Sequence, residues 1–333
     1  MFGKKTISVA AMGLMACLSP AKAFEPGSFG YAQKPGLPLG NAAVAPPPGI
    51  YMFDQVWQYN AHLVGPGAPV NAAGGTPSVY VTSPTVGFLF VPGWTFLGAT
   101  YDAVIAQPYG VSSVGSPINL TCDGVRNTFI APIELSWNLG NSGFFVKAGL
   151  GIHVPDGTVT GLNGLGSIGT PWWTFQPNLV FSYFKDGWNL TVNLSNEMNT
   201  ASSVTGYKSG DVFHADFTAT KAFGKWTVGP VASYATQITD DQSSPFYRGA
   251  IGTNRFSVLG VGGLVSYNFG PATLKLVALE EVTTTASSGT PRGGVDSATI
   301  TKGFTVFANL SYQIWSFQDD QKPQKPQKPQ FTK

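Results

Sequence analysis

The chain has 333 residues, of which 43% are hydrophobic and only 11% are Asp, Glu, Lys or Arg. A soluble domain typically carries about 25% charged residues, so this composition suits a surface that is not bathed in water. The formal net charge of +2 is too small to imply a nucleic-acid partner.

The N-terminus reads as a secretory signal peptide. MFGKK is a basic start, residues 6–18 form an apolar run, and Ala21-Lys22-Ala23 is a small-x-small cleavage site, so 1–23 is the signal and Phe24 the mature start. A lipoprotein box around Cys17 is the weaker alternative, because Met15 fits it poorly. Without Lys4, Lys5 and Lys22 the 19 basic residues fall to 16, against 17 acidic ones. Cys122 is then the only cysteine left, expected in a loop as a small residue or a reactive thiol. No later stretch reaches the roughly 18 apolar residues of a spanning helix. Such an exported chain is either soluble outside the cytoplasm or a β-barrel.

Residues 24–49, rich in Pro and Gly, are either a solvated periplasmic leader or a segment folded into a lumen as a plug. Twelve segments with a period of two follow, near 50–64, 78–91, 94–106, 128–138, 143–154, 172–184, 187–198, 211–222, 225–238, 255–269, 272–284 and 303–316. In GWNLTVNLSNEMN (187–199), Trp188, Leu190, Val192, Leu194 and Met198 form one face, and Asn189, Thr191, Asn193, Ser195 and Glu197 the other. The connections alternate strictly. Tight turns at 91–94, 139–143, 185–187, 223–225 and 269–271 are separated by longer links at 65–77, 107–127, 155–171, 199–210, 239–254 and 285–302. Short periplasmic turns, long outer loops and an even strand number describe an outer-membrane barrel. The fold class expected is therefore all-β, a transmembrane antiparallel up-and-down barrel of about 12 strands over 50–317, with a polyproline-prone, disordered KPQ tail at 318–333. Trp172, Trp188, Trp226, Trp315 and Phe317 sit at strand ends, as an interfacial girdle does, although strands are rich in aromatics anyway.

Pro84, Pro132, Pro177 and Pro230 fall inside the proposed strands, where proline cannot donate to a ladder. Either the strands are drawn wrongly or the prolines mark bulges, and the surviving alternation favours bulges. A wall bent in this way could open sideways to lipid. On the polar register Asp54, Asp102, Glu134, Glu197 and Asp216 face the lumen, with Lys147, Lys275, His62, His153 and His214. Trp94, Phe96, Phe256 and Val258 add apolar contact there, while Glu280 and Glu281 are expected at the outer rim. The bland reading is a polar lumen. The functional one is that five acids against two lysines favour cationic or amphiphilic amines.

Several blocks carry a family resemblance: APPPGIYMFDQVWQYN (45–60), FIAPIELSWNLG, WWTFQPNLVFSYFKDGWNLT, YKSGDVFHADFTATKAFGKWTVGPVASYATQITDD and VLGVGGLVSYNFGPATLKL. Together they resemble the outer-membrane family named for the meta-pathway of phenol degradation, which includes SphA-like transporters, over most of residues 45–316. The resemblance implies a barrel that admits hydrophobic or aromatic compounds, and it carries over no site residue.

Catalytic readings are weak. GLGSIG (164–169) matches a dinucleotide motif but leads through Thr170-Pro171 into a strand rather than a helix. The three histidines are not at metal-ligand spacing. Ser195 or Ser266 beside His214 would be needed for a barrel lipase, with no G-x-S-x-G to support them. The expectation is an outer-membrane channel for passive uptake of small hydrophobic, aromatic or amphiphilic compounds, without cofactor, metal or catalysis. A non-selective porin or surface adhesin, and then an outer-membrane lipase, are the alternatives. Its partners would be outer-membrane lipid, the barrel assembly machinery and a small solute, and no nucleic acid.

Overall fold

A computed structural model describes residue 25 and residues 30–160, 167–247, 254–288 and 298–317. The expected signal peptide, the KPQ tail and the first half of GLGSIG lie outside the described residues. Among the described residues no helix is long and apolar enough to cross a membrane.

The strands are β1 (Gly49–Val64), β2 (Ser78–Val91), β3 (Thr95–Phe96), β4 (Ala99–Val114), β5 (Leu120–Val125), β6 (Phe129–Asn138), β7 (Phe144–His153), β8 (Thr174–Lys185), β9 (Trp188–Asn199), β10 (Val212–Phe223), β11 (Trp226–Gln237), β12 (Asn254–Asn268), β13 (Ala272–Ser288) and β14 (Ile300–Ser316). Every pairing is antiparallel between neighbours in the wall. β1 pairs with β14 from Gly49↔Ser316 to Val64↔Ile300, which closes the cylinder and leaves no free edge. β3 and β5 pair only with β4, so twelve strands make the wall. The 107–127 link is thus not irregular. It continues β4 and returns as β5, which places Cys122 buried in a strand rather than a loop. The β-branched residues of VSSV and LTCDGV sustain a hairpin beyond the wall.

Short turns follow from local chemistry. Asp186 and Gly187 both have positive φ (53° and 76°), the type I′ geometry whose twist matches the flanking strands. Of the four prolines, Pro132 sits at register shifts against both β4 and β7, which makes it a bulge. Pro84, Pro177 and Pro230 are different. Pairing skips beside each on one neighbouring strand and resumes in the same register, so no extra residue bends the wall there. At Pro84 the Ser83 hydroxyl donates to Tyr109 O at 2.7 Å, close to the skipped pairs.

The outer face is apolar. Phe181, Leu190, Phe217, Val228, Val261 and Leu276 are exposed there, and one charged side chain among them would be costly in lipid. Rings cluster near the short-turn end, where Phe90 meets Trp94 and Phe317 and Trp226 meets Tyr267. Trp94 and Phe96, expected in the lumen, are among the most exposed aromatics of this end (64% and 60%), because their turn projects beyond the wall. At the other end the described parts of the 107–127 and 155–171 links are joined. Asn127 fastens them, donating to Thr170 O and Oγ1 at 3.0 and 2.9 Å and accepting from Thr170 N at 2.8 Å. Asn127→Ala should therefore loosen residues 155–171 by about 1–3 kcal/mol, visible as faster proteolytic nicking in that link with the barrel intact.

Candidate functional site: a lumen threaded by the leader

Residues 30–48 run inside the barrel. The far end of the leader begins beneath the long loops, where Glu25 accepts hydrogen bonds from the Thr205 hydroxyl and, at 2.9 Å, from the Tyr247 hydroxyl. The near end joins β1 at the short-turn side. Between them the wall satisfies the leader's backbone, as buried peptide groups require. Ala32 and Gln33 donate their N–H groups to the two oxygens of Glu197 at 2.8 and 2.6 Å. Gly40 N donates to Thr218 Oγ1 at 2.9 Å, and Ala43 N to Ser182 Oγ at 2.8 Å. The wall donates in return, Trp57 Nε1 to Pro35 O at 3.2 Å, Asn189 Nδ2 to Gly40 O at 3.0 Å and Lys275 Nζ to Leu39 O at 2.7 Å. Leu39 is wholly buried against a cluster that includes Trp57, Leu264, Val277 and Phe307.

The sequence-derived lumen set divides into two clusters and two misplacements, Asp54 and His62. Lys147 Nζ lies 3.0 Å from Asp102 and 3.2 Å from Glu134, an ion triad built from β4, β6 and β7. Glu197 holds the leader, and His214 Nε2 approaches its Oε1 at 3.0 Å, off the line of a good hydrogen bond. Asp216 accepts from Gln33 Nε2 at 2.8 Å. Gln33 Oε1 in turn accepts from Ser195 Oγ at 3.0 Å and from Gln176, so Ser195 is committed to the leader rather than poised as a nucleophile.

Asp54 is the correction. It pairs across the ladder with Leu310 and Val86, both exposed on the outer face, whereas its neighbours Gln55 and Trp57 turn inward. His62 shares that outward phase, opposite Lys302 and Ser78. The cause is the leader. Where it packs on β1, the inward residues are Trp57, Tyr59 and Leu63, so apolarity marks the inside and the alternation inverts. Glu281 also departs from expectation. It faces inward, and its Oε2 accepts from Tyr59 Oη at 2.7 Å and Gly303 N at 2.8 Å, while Glu280 is exposed.

The leader leaves space beside it. A cavity of ≈ 670 Å³ runs along the polar half of the lumen, from Tyr51 and Leu89 near the short turns to Asn127 and Trp172 beneath the long loops. Its wall mixes Phe53, Val104 and Phe129 with Lys147, Asn178 and Asn193. A second cavity of ≈ 80 Å³ lies on the other side of the leader, lined chiefly by apolar side chains of β1 and β2. Two basic residues outside the strands, Lys34 and Arg126, are among those that line both. Burial, helped by the Arg126 guanidinium nearby, pushes the Lys34 ammonium down to about 7, and burial lowers Arg126 to about 10. Sequence reading missed both, since neither lies in an alternating segment.

The family model described as "Putative MetA-pathway of phenol degradation" matches residues 64–300. The chain belongs to this family. Among solved structures it is similar to an outer-membrane channel from Pseudomonas putida F1, with a TM-score of 0.65 at 11% identity over 84% of this chain and 99% of that one. That likeness establishes the fold of a bacterial outer-membrane channel. Looser overlaps occur with the β domain of the Bordetella autotransporter BrkA (TM-score 0.45, 12% identity, 80% and 99% covered) and with the Pseudomonas putida toluene transporter TodX (0.36, 9%, 87% and 96%), and we draw nothing from them. A search of curated proteins found no match.

Proposed function

We propose that this family member is an outer-membrane channel through which small hydrophobic, aromatic or amphiphilic compounds enter by passive diffusion. The observation that carries this reading is the ≈ 670 Å³ cavity beside the leader, whose wall is part apolar and part polar along the barrel axis. A wall of that kind offers an apolar solute repeated weak contacts without a site deep enough to trap it. No covalent step is needed. Membrane insertion supplies the lipid partner, and the exported mature chain begins at Phe24 on this reading.

Cells making the protein should therefore take up a hydrophobic dye, such as N-phenyl-1-naphthylamine, faster than cells making an unrelated closed barrel. The protein should fractionate with the outer membrane and shift on gels after heating, as closed barrels do. Equal dye uptake together with faster disaccharide uptake would replace this reading by the non-selective porin. Recovery as a soluble periplasmic protein would end both.

A further inference from the structure

The two cavities of the lumen meet at a partition formed by Tyr31, Lys34, Trp57 and Arg126. On its apolar side lie Leu63, Val79, Val81 and Val114, with Trp57 and Tyr59 stacked at 5.4 Å between centroids. Arg126 follows directly on β5, and its backbone is pinned at both ends. Its N–H donates to Pro108 O at 2.9 Å, and its carbonyl accepts from Gln107 Nε2 at 2.9 Å. The side chain is therefore aimed by the fold. Gly110 of β4 lies against it, and a Cβ at that position would stand 2.6 Å from Arg126 Nε. A larger residue there would push the guanidinium aside.

Nε and Nη2 of Arg126 are nonetheless buried without a hydrogen-bond partner. A buried guanidinium edge lacking an acceptor is expensive, and it persists where a ligand supplies one. The acids in this part of the lumen are otherwise engaged, Glu281 by Tyr59 and Gly303 and Glu197 by the leader amides of Ala32 and Gln33. Lys34 adds a second basic side chain at the same partition. The Nε–Nη2 edge of arginine matches the two oxygens of a carboxylate, and stacked aromatic rings match an aromatic body.

We propose that this junction is a binding site for a small aromatic carboxylate, its carboxylate on the Nε–Nη2 edge of Arg126 and its ring against Trp57 and Tyr59. The proposal rests on the channel reading and sharpens it from hydrophobic solutes in general to organic anions with a compact ring. It also reverses the preference for cationic amines that a count of lumen acids suggests. The ≈ 80 Å³ pocket alone is smaller than the roughly 150 Å³ cavity that takes up benzene in another protein, but Tyr31, Lys34, Trp57 and Arg126 line the larger cavity as well, so a ligand held by them can draw on both spaces.

The test uses the full-length folded barrel in lipid nanodiscs, titrated with benzoate and, separately, with benzylamine by calorimetry. Benzoate should bind and benzylamine should not. Arg126→Gln should weaken benzoate binding about tenfold or more, the usual loss when hydrogen bonds to a charged group are removed. Gly110→Ala, which displaces the guanidinium without removing it, should weaken binding in the same direction, so a folding failure of one variant leaves the other to decide. Folding of each is confirmed by its heat-dependent gel shift. If benzylamine binds as well as benzoate, or if the folded variants bind benzoate like the wild type, the anion site is overturned. The dye-uptake experiment judges the channel reading separately. Uptake with no benzoate binding overturns the site alone, and benzoate binding with no dye uptake overturns the channel alone.

Discussion

Deletion of residues 24–44 is expected to raise single-channel conductance severalfold in planar bilayers, with the barrel still folded. The leader runs through the lumen and draws on wall donors and acceptors from β1, β8, β9, β10 and β13. The wall does not depend on it in return. Its hydrogen bonds run from strand to strand, and the β1–β14 ladder closes it through residues outside the deletion. Some stability is lost, since Leu39 is fully buried and burying one leucine is worth about 1.5–3 kcal/mol. The exposed faces of Trp57, Val277 and Phe307 would then line a wider, water-filled bore. Unchanged conductance from a folded deletion protein would mean that the leader does not limit flow, and that solutes take a path it never touches.

The strands were legible because each carries its own evidence. Period-two alternation in 187–199 matches the exposed and buried residues toward both ends of β9, with Val192, Asn193 and Leu194 half-buried between them, and turns such as Asp186-Gly187 use residues that adopt positive φ readily. The lumen was less legible, for one physical reason. Alternation reports polarity, and polarity identifies the inner face only where that face meets water or the leader's polar groups. Along β6 to β10 it does, and Glu134, Lys147, Glu197, His214 and Asp216 are placed inward. Along β1 the inner face meets the leader, so Trp57 and Tyr59 lie inside and Asp54 outside. The leader's path could not be read from its own sequence, because it has no periodicity and takes its order from partners more than 130 residues away, such as Ser182 and Glu197. Arg126 was hidden for the same reason, as its significance depends on Gly110 and on Lys34.

Leu194→Arg and Glu197→Gln, three positions apart on β9, are expected to fail in different ways. Leu194 pairs with Leu179 and Ala215 on the outer face, near the middle of the strand. An arginine there meets hydrocarbon, at a cost of about 2–4 kcal/mol at the midplane, and equilibrium unfolding into denaturant should register it as lost barrel stability. Glu197 points the other way, into the lumen, where each carboxylate oxygen accepts one leader N–H. Glutamine keeps the volume but turns one acceptor oxygen into an amide NH2 donor that faces a donor. Removing charge-assisted hydrogen bonds of this kind costs about 1.5–3 kcal/mol, and the loss falls on leader docking because the β9 ladder to β8 and β10 is unaffected. The barrel should unfold at nearly the wild-type denaturant concentration, while current traces show frequent transitions to the wide state seen on deleting the leader. Should Leu194→Arg produce the flickering and Glu197→Gln the loss of stability, β9 would have to be turned over, with its leucines facing the leader and its carboxylate facing the bilayer.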